Sequence, residues 1–269
     1  AEHAADRLGQ RLGEAARIAA EPLERPRLEA EDPHLGPRYG FGLRFRDSGH
    51  VSDPGGYSRA LFGHFRGGGG EFRQAQVDGL HLVEGGVEVA AGGETQRFDA
   101  GVVALGAWSG RLVERLGHRP GLETERGYHL VLERPTHMPP VPYMIHEGAF
   151  VASPMEEGLR LAGLVEFGGL EAGPSAAPTR LQRRRLLDLY PGLAWAGERR
   201  WMGHRPTTID SLPVIGESPK APGVWCAFGG QHLGLTSAPR TGRMIADMIA
   251  GRRPNIDTAP FRAGRFDRF

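Results

Sequence analysis

The segment Gly203-His-Arg-Pro206 places an arginine directly before a proline. The backbone of a residue before proline is restricted to extended conformations, so the backbone that carries the Arg205 side chain has little freedom. Its planar guanidinium can bind a carboxylate through two parallel hydrogen bonds, which lysine does less well. An isolated arginine is by default a surface residue or the partner of an acid such as Asp210. The glycine-rich turns nearby favour a binding role.

The turn Phe228-Gly-Gly-Gln-His-Leu-Gly-Leu-Thr236 is a second candidate, because its glycines separate an apolar run from a helical pattern. Backbone amides at the start of a helix stabilise negative charge. The charge on a reduced flavin ring, a phosphate or a carboxylate would each suit them. Taken alone, the turn fits an ordinary strand, turn and helix equally well.

The run Gly101–Ser109 is a third candidate, since it has the pattern of a buried strand that ends in the small residues Gly106 and Ala107. Small residues let the backbone approach a flat cofactor closely. Packing against the protein itself is the simpler interpretation of these residues alone.

Metal and hydrolase chemistry find no support in the sequence. None of the 11 histidines has the HExxH or cysteine-linked spacing of a zinc site. Ser109 and Ser211 lie outside a G-x-S-x-G pattern. Cys226 is the only cysteine, so it cannot form an intrachain disulfide, and it fits a reducing compartment.

Composition and charge exclude several classes of function. Lys and Arg total 33 against 32 Asp and Glu, which gives no electrostatic case for binding nucleic acid or an anionic membrane. A chain of 269 residues with 39% hydrophobic content can bury one large core or two modest ones. No apolar run reaches the roughly 18 residues of a membrane span, so we expect a cytoplasmic protein. The first residue is Ala rather than Met, which suggests an upstream segment.

The elements that would position these candidates follow from periodicity and turn residues. In the first part of the chain, the patterns predict a helix over residues 1–20 that is stopped by Pro22 and Pro26, loop with short strands to Asp53, and a helix Tyr57–Phe65. A β-meander follows Gly67–Gly70 and ends in a strand Ala100–Leu105. The remaining patterns predict strand-like runs over 122–170, a basic helix around Arg180–Arg185, a short strand, and a helix Thr236–Ile249.

Five segments in this order carry a family resemblance: GVVALGAWSGRL, ERGYHL, PMEEGLRLAGLVEFGGL, WMGHRPTTIDSLPVIG and FGGQHLGLTSAPRTGRMIADMIAG. They resemble the D-amino-acid dehydrogenase members of the FAD-dependent D-amino-acid oxidase and glycine oxidase superfamily, from about residue 20 to Phe269. The resemblance implies an α/β (α+β) fold in which an incomplete FAD-binding Rossmann-like domain is interleaved with an antiparallel-sheet substrate domain. Residues 1–66 and 119–200 are assigned to the substrate domain, and residues 67–118 and 201–269 to the FAD-binding domain.

The resemblance also implies roles for single residues. Arg205 matches the arginine that grips the substrate carboxylate, and His232 falls where some relatives place another substrate contact. Val77 matches the position whose backbone meets the adenine, and Gly106 and Ala107 match a turn beside the cofactor. The backbone amides that contact the flavin pyrimidine match Gly230, Gln231, His232, Leu233, Gly234, Leu235 and Thr236.

A tyrosine reaches over the substrate in several relatives, and Phe150 stands at the approximate match, so its hydroxyl would be lost. Tyr128 or His129 could cover the site instead, although Tyr128 fits equally well as a residue packed in the sheet. The implied chemistry is hydride transfer from the amino-acid Cα–H to flavin N5, followed by hydrolysis of the imine to a 2-oxo acid and ammonia. His129 and His232 are candidate proton acceptors.

The nucleotide motif of this family, G-x-G-x-x-G between a strand and a helix, has no counterpart in the sequence. Three explanations of this missing motif are open: the chain is a fragment of a longer enzyme, it is a subunit that needs a nucleotide-binding partner chain, or it is a degenerate domain. We favour the first. A non-catalytic binding module that retains the substrate domain is the rival hypothesis. Oxygen, a quinone or another protein could accept the electrons, with peripheral contact at the inner face of a membrane as an open alternative.

Overall fold

The structure is a computed structural model that describes residues 19–146 and 149–267. The helix predicted over residues 1–20 lies outside the described residues, apart from Ala19 and Ala20. Ala20 begins a strand. No helix of the described residues is long and apolar enough to cross a lipid bilayer.

The described residues form strands and helices in mixed order. The strands are β1 (Ala20–Glu24), β2 (Phe41–Phe45), β3 (Val77–Val83), β4 (Gly86–Ala91), β5 (Glu94–Phe98), β6 (Gly101–Val103), β7 (Leu122–Glu133), β8 (Tyr143–Ile145), β9 (Phe150–Met155), β10 (Gly158–Phe167), β11 (Gly197–Thr208), β12 (Val214–Ser218) and β13 (Ala221–Phe228). The α-helices are α1 (Arg25–Glu31), α2 (Pro54–Gly67), α3 (Ser109–Arg115), α4 (Ala177–Leu189) and α5 (Gly234–Ile249).

The strands form four sheets, with the orders β1-β2, β11-β7-β10-β9-β8, β12-β13-β6 and β3-β4-β5. Neighbours such as β9 and β10 are antiparallel, with Phe150 opposite Gly163. β6 and β13 pair in parallel, with Val224 opposite Gly101. This mixed fold with antiparallel sheets confirms the predicted fold class.

The chain divides into two compact units. Unit 1 contains the described residues within 1–70, 128–164 and 175–201, and unit 2 contains those within 71–127, 165–174 and 202–267. The chain passes from one unit to the other within β7, β10 and β11. The assignment of substrate and cofactor to particular residue ranges stays a prediction.

In the core of unit 1, one face of strands β7, β9 and β10 packs against α4. Leucines 130 and 132 of β7 alternate with residues that point to the other face, as the strand period of two requires. Leu186 and Leu189, three residues apart on α4, lie in the same core. Arg180 and Arg184 on the same helix are exposed, so the basic face of α4 is solvated.

The core of unit 2 joins the β3-β4-β5 meander to the parallel pair β6 and β13. A Cβ on Gly101 of β6 would lie 3.3 Å from Val87 of the meander. Cys226 is fully buried in this core, and burial raises the pKa of its thiol to about 11, so the thiol stays protonated and unreactive at neutral pH.

Most of the predicted elements are confirmed within one to three residues at each end. The helix Tyr57–Phe65 is α2, and the helix Thr236–Ile249 is α5. The short helix α1 was missed, because Pro26 was interpreted as a helix breaker. Pro26 occupies the first turn of α1, where proline lacks an N–H that would have no partner in any case.

Candidate active site

The predicted flavin-contacting turns lie at one edge of a sheet in unit 2. β6 and β13 are parallel, so their carboxyl ends meet at the same edge. β6 leads through the 3-10 turn Gly106–Trp108 into α3, and β13 leads through the 3-10 turn Gln231–Leu233 into α5. Ligands of α/β folds bind at such edges, where helices begin after parallel strands. The structure therefore brings these two turns to one place.

The backbone of both turns requires glycine. Gly106 has φ +58° and Gly229 has φ +80°, in the left-handed region that glycine adopts without strain. A Cβ on Gly230 would lie 2.9 Å from the Cα of Gly234, so a side chain there would push against the start of α5. Gln231 is left-handed with φ +46° and carries strain of about 1 kcal/mol.

The first turn of α5 has the properties of an anion site. Its N-cap residue, Leu233, makes no side-chain hydrogen bond to the helix amides. A Cβ on Gly234 would meet no atom within 4 Å, so the space before the helix is open. Uncapped amides at the start of a helix stabilise negative charge. These residues fit the pyrimidine edge of a flavin, which becomes negative on reduction.

Val77 lies elsewhere in unit 2, at the start of β3 in the meander, where it pairs with Ala91. A register shift follows between Val77 and Gly79. Val77 is half-buried. Its backbone contact with adenine stays a prediction.

Arg205 lies on β11 with its guanidinium directly above Gly127. A Cβ on Gly127 would overlap the guanidinium carbon and nitrogens, so glycine at this position leaves room for the arginine. Burial lowers the pKa of Arg205 and the nearby Glu125 carboxylate raises it, and an arginine remains charged in either case. Arg205 is therefore a half-buried cation of the kind that binds a carboxylate.

Glu125 connects two of the predicted residues. Its Oε2 lies 3.0 Å from Nε2 of His232, and its charge acts on Arg205. The Glu125 side chain is only 15% exposed, which strengthens both interactions. Glu125 was missed in the sequence. No local pattern marked it, because its contact with His232 spans 107 residues of the chain.

A second contact ties the strand of Arg205 to the turn of Gly106. His204 precedes Arg205, and its Nδ1 lies 2.9 Å from the Thr124 hydroxyl. The ring of Trp108, in the 3-10 turn after β6, meets the His204 ring edge-on at 5.2 Å. The strand of Arg205 and the turn of Gly106 are thereby held together within unit 2.

Asp210, considered in the sequence as an ion partner of Arg205, pairs with Arg265. Arg265 donates from Nε to Oδ2 at 2.8 Å and from Nη2 to Oδ1 at 3.0 Å. The hydrogen bond from Arg265 lowers the pKa of Asp210. This bidentate pair fixes the turn that follows β11.

Tyr128 and Phe150 of unit 1 are core residues. Tyr128 is 2% exposed, and its hydroxyl accepts a hydrogen bond from the Ser175 amide at 3.0 Å. Phe150 is 1% exposed within the leucine-rich core. This burial favours packing for both side chains, and their roles over the substrate stay predictions.

His129 points to the opposite face of β7 from Tyr128 and stacks on Trp201, with ring centroids 4.7 Å apart. Burial lowers the pKa of His129 to about 4, helped by the positive charges of Arg160 and Arg199 and opposed by Glu157. The imidazole is therefore neutral at pH 7 and has a free nitrogen lone pair, but it is a weak base.

Unit 2 also contains a Ser, His and Asp arrangement that the sequence did not reveal. His118 lies 2.7 Å from the Ser218 hydroxyl through Nε2 and 2.9 Å from Asp267 through Nδ1. Burial would raise the pKa of Asp267, but hydrogen bonds from the Arg119 amide, Lys220 and His118 hold it at about 2. Ser218 is 1% exposed and the His118 side chain is fully buried, so no substrate can reach the hydroxyl. The arrangement is structural.

The family model "FAD dependent oxidoreductase" (DAO) matches residues 1–248 of the chain. The resemblance inferred from the five sequence segments is thereby confirmed, and FAD is the cofactor of that family.

Named relatives agree with this match. The D-amino-acid oxidase of Bradyrhizobium diazoefficiens is 37% identical over 265 residues, covering 96% of this chain and 63% of its own length. The D-amino acid dehydrogenase of Sinorhizobium medicae is 32% identical over 200 residues, covering 74% of this chain and 47% of its own. The chain thus spans about half to two thirds of these relatives.

A solved structure has the same fold. Glycine oxidase from Geobacillus kaustophilus superposes with a TM-score of 0.84 at 24% identity, covering 98% of this chain and 72% of that protein. At this identity the likeness concerns the fold.

Proposed function

The chain belongs to the FAD dependent oxidoreductase family, and we propose that it provides the carboxylate anchor and the flavin-ring turn of an enzyme that oxidatively deaminates a D-amino acid. The observation that carries this proposal is the arrangement within unit 2. Arg205 of β11 lies over Gly127 of β7, and a helix start without a side-chain cap follows β13. The Glu125 carboxylate interacts with both regions through Arg205 and His232.

Each residue has a defined task in this proposal. Arg205 binds the substrate carboxylate with two parallel hydrogen bonds and so fixes the position of Cα. The amides at the start of α5 offset negative charge that develops during the reaction. Glu125 keeps His232 in one orientation. FAD, when bound, would supply the hydride-accepting chemistry, and these residues would orient the substrate towards it.

The D-configuration of the substrate rests on the relatives, which are a D-amino-acid oxidase and D-amino acid dehydrogenases. We propose unit 2 as the part that contacts FAD, with Gly106, Ala107 and the residues of the turn Gly230–Thr236 nearest to the ring. Val77 is proposed to contact the adenine.

Flavin binding tests the proposal directly. Protein that is mixed with FAD and then freed of unbound flavin by gel filtration should remain yellow, and it should quench flavin fluorescence on titration. Gly230→Ala should weaken this binding, because its methyl group disturbs the start of α5. Gly242→Ala, later in the same helix with open space around it, is the matched control.

A colourless protein that takes up no FAD, alone or with an added nucleotide-binding chain, would instead support the rival binding module. Equal binding by the Gly230→Ala and Gly242→Ala proteins would remove the flavin role of the turn. Substrate class is tested on FAD-loaded protein with D-alanine, L-alanine and D-proline and an artificial electron acceptor. Faster reduction by L-alanine would contradict the proposed configuration.

A further inference from the structure

A cavity of about 480 Å³ lies in unit 1 beside the start of α2. The function proposed above uses none of its lining residues. Its polar lining combines carboxylates with guanidinium groups: Ser52, Asp53, Arg59, Glu156, Glu157 and Arg160.

The carboxylates that line the cavity already have hydrogen-bond donors. The pairs are Arg59 to Asp53 at 3.1 Å, Ser52 to Glu156 at 3.0 Å, and Arg199 to Glu157 at 2.8 Å. Their negative charges are therefore partly balanced within the protein.

Arg160, in contrast to these carboxylates, has an unpaired side-chain nitrogen. It lies on β10 between Leu159 and Leu161, which point into the core, so its side chain leaves the opposite face of the sheet. Its Nε is buried without a hydrogen-bond partner, and no ion pair to Arg160 occurs within residues 19–146 and 149–267. Arg160 also lines the cavity, so an acceptor supplied from outside the protein can reach its side chain and compensate this cation.

We propose that this cavity binds a small molecule through a single carboxylate, whose two oxygens accept hydrogen bonds from the Arg160 guanidinium. The planar fork of arginine matches a carboxylate. The acidic side chains around the cavity repel multiply charged anions, which disfavours phosphate. An amino acid and a 2-oxo acid share the required group, and the binding needs no FAD.

The experiment is an NMR titration of the full chain with pyruvate, D-alanine, D-alaninamide and inorganic phosphate. The reporter is the His129 imidazole resonance, identified by its loss in His129→Gln. Because Arg160 contributes to the low pKa of His129, a carboxylate on Arg160 should raise that pKa, and at about pH 4.5, close to the pKa, this shifts the resonance. Pyruvate and D-alanine should give saturable shifts, and the tighter of the two identifies the source of the carboxylate.

Arg160→Met should weaken carboxylate binding by at least about tenfold. Arg184→Met, which removes an exposed arginine of α4, is the matched control and should bind as the parent does. Arg160→Lys keeps the charge without the fork and should bind with intermediate affinity, which tests the site even if the methionine variant does not fold. Equal affinity in the Arg160→Met and Arg184→Met proteins, equal binding of D-alaninamide, or no saturable shift in the parent would overturn the proposal.

Discussion

The two units differ in where they place the predicted site residues and in how deeply they bury them. In unit 2, Gly106 and Gly230 lie in turns at the carboxyl ends of strands, and Arg205 lies half-buried on a strand over a glycine. In unit 1, Phe150 lies inside a leucine-rich core and Tyr128 is buried, both with almost no exposure. Burial therefore separates the two sets: the residues of unit 2 are placed where a ligand could meet them, whereas the aromatic residues of unit 1 already serve the packing of the protein.

The largest effect on activity is predicted at Arg205. If it anchors the substrate carboxylate, Arg205→Ala should lower kcat/KM by about 100-fold or more, mainly through KM, because a desolvated ion pair is lost. Steady-state kinetics on FAD-loaded protein measure this effect. Arg205→Lys should be intermediate, since it keeps the charge without the fork. An unchanged KM in the alanine variant would remove Arg205 from the site.

The second prediction concerns Phe150 as a core residue. Phe150→Ala should reduce the free energy of unfolding by about 3–5 kcal/mol, through lost burial and a cavity. Denaturant unfolding measures it, with Tyr128→Phe as the comparison, where a loss of about 1 kcal/mol follows from one hydrogen bond. If Phe150→Ala kept full stability but lost activity, the covering role would replace the packing role.

The third prediction follows from the low pKa of His129. The pKa is about 4 in the folded protein, against 6.5 for a histidine exposed to water. The unfolded chain binds the proton more tightly, so this contribution to stability is present above pH 6.5 and is lost as the pH falls towards 4. Because His129 is partly exposed, solvent screening reduces this contribution to the free energy of unfolding to about 1–2 kcal/mol.

Urea unfolding at pH 7 and at pH 4.5 should show this loss in the parent protein and less of it in His129→Gln. An identical loss in both proteins would mean that other groups control the acid sensitivity.

The fourth and smallest effect is expected at Gly127. Gly127→Ala places a methyl group where the Arg205 guanidinium lies, and that flexible end can move aside. The KM should therefore rise by about tenfold, about 1.4 kcal/mol, with little change in stability. Gly242→Ala, in an open position of α5, should leave KM unchanged and stabilise by up to about 1 kcal/mol. A large loss of stability in Gly127→Ala would show that the glycine serves the sheet rather than Arg205.

The sequence predicted elements whose signals are local. Apolar periodicity located α2 and α5, and glycines located the turns after β6 and β13. It missed α1 because proline both ends and begins helices. Within the candidate site it missed Glu125, whose role depends on a contact with His232 from 107 residues further along the chain. Contacts across such separations leave no pattern in one sequence.

The Ser218, His118 and Asp267 network has a consequence for how enzymes are recognised. A search for three atoms at hydrolase distances would select this protein, because both hydrogen-bond lengths satisfy the criterion. The network differs from a catalytic triad in solvent exposure, because the Ser218 hydroxyl is buried inside the protein. Geometric templates for catalysis therefore need an accessibility condition as strict as their distance condition.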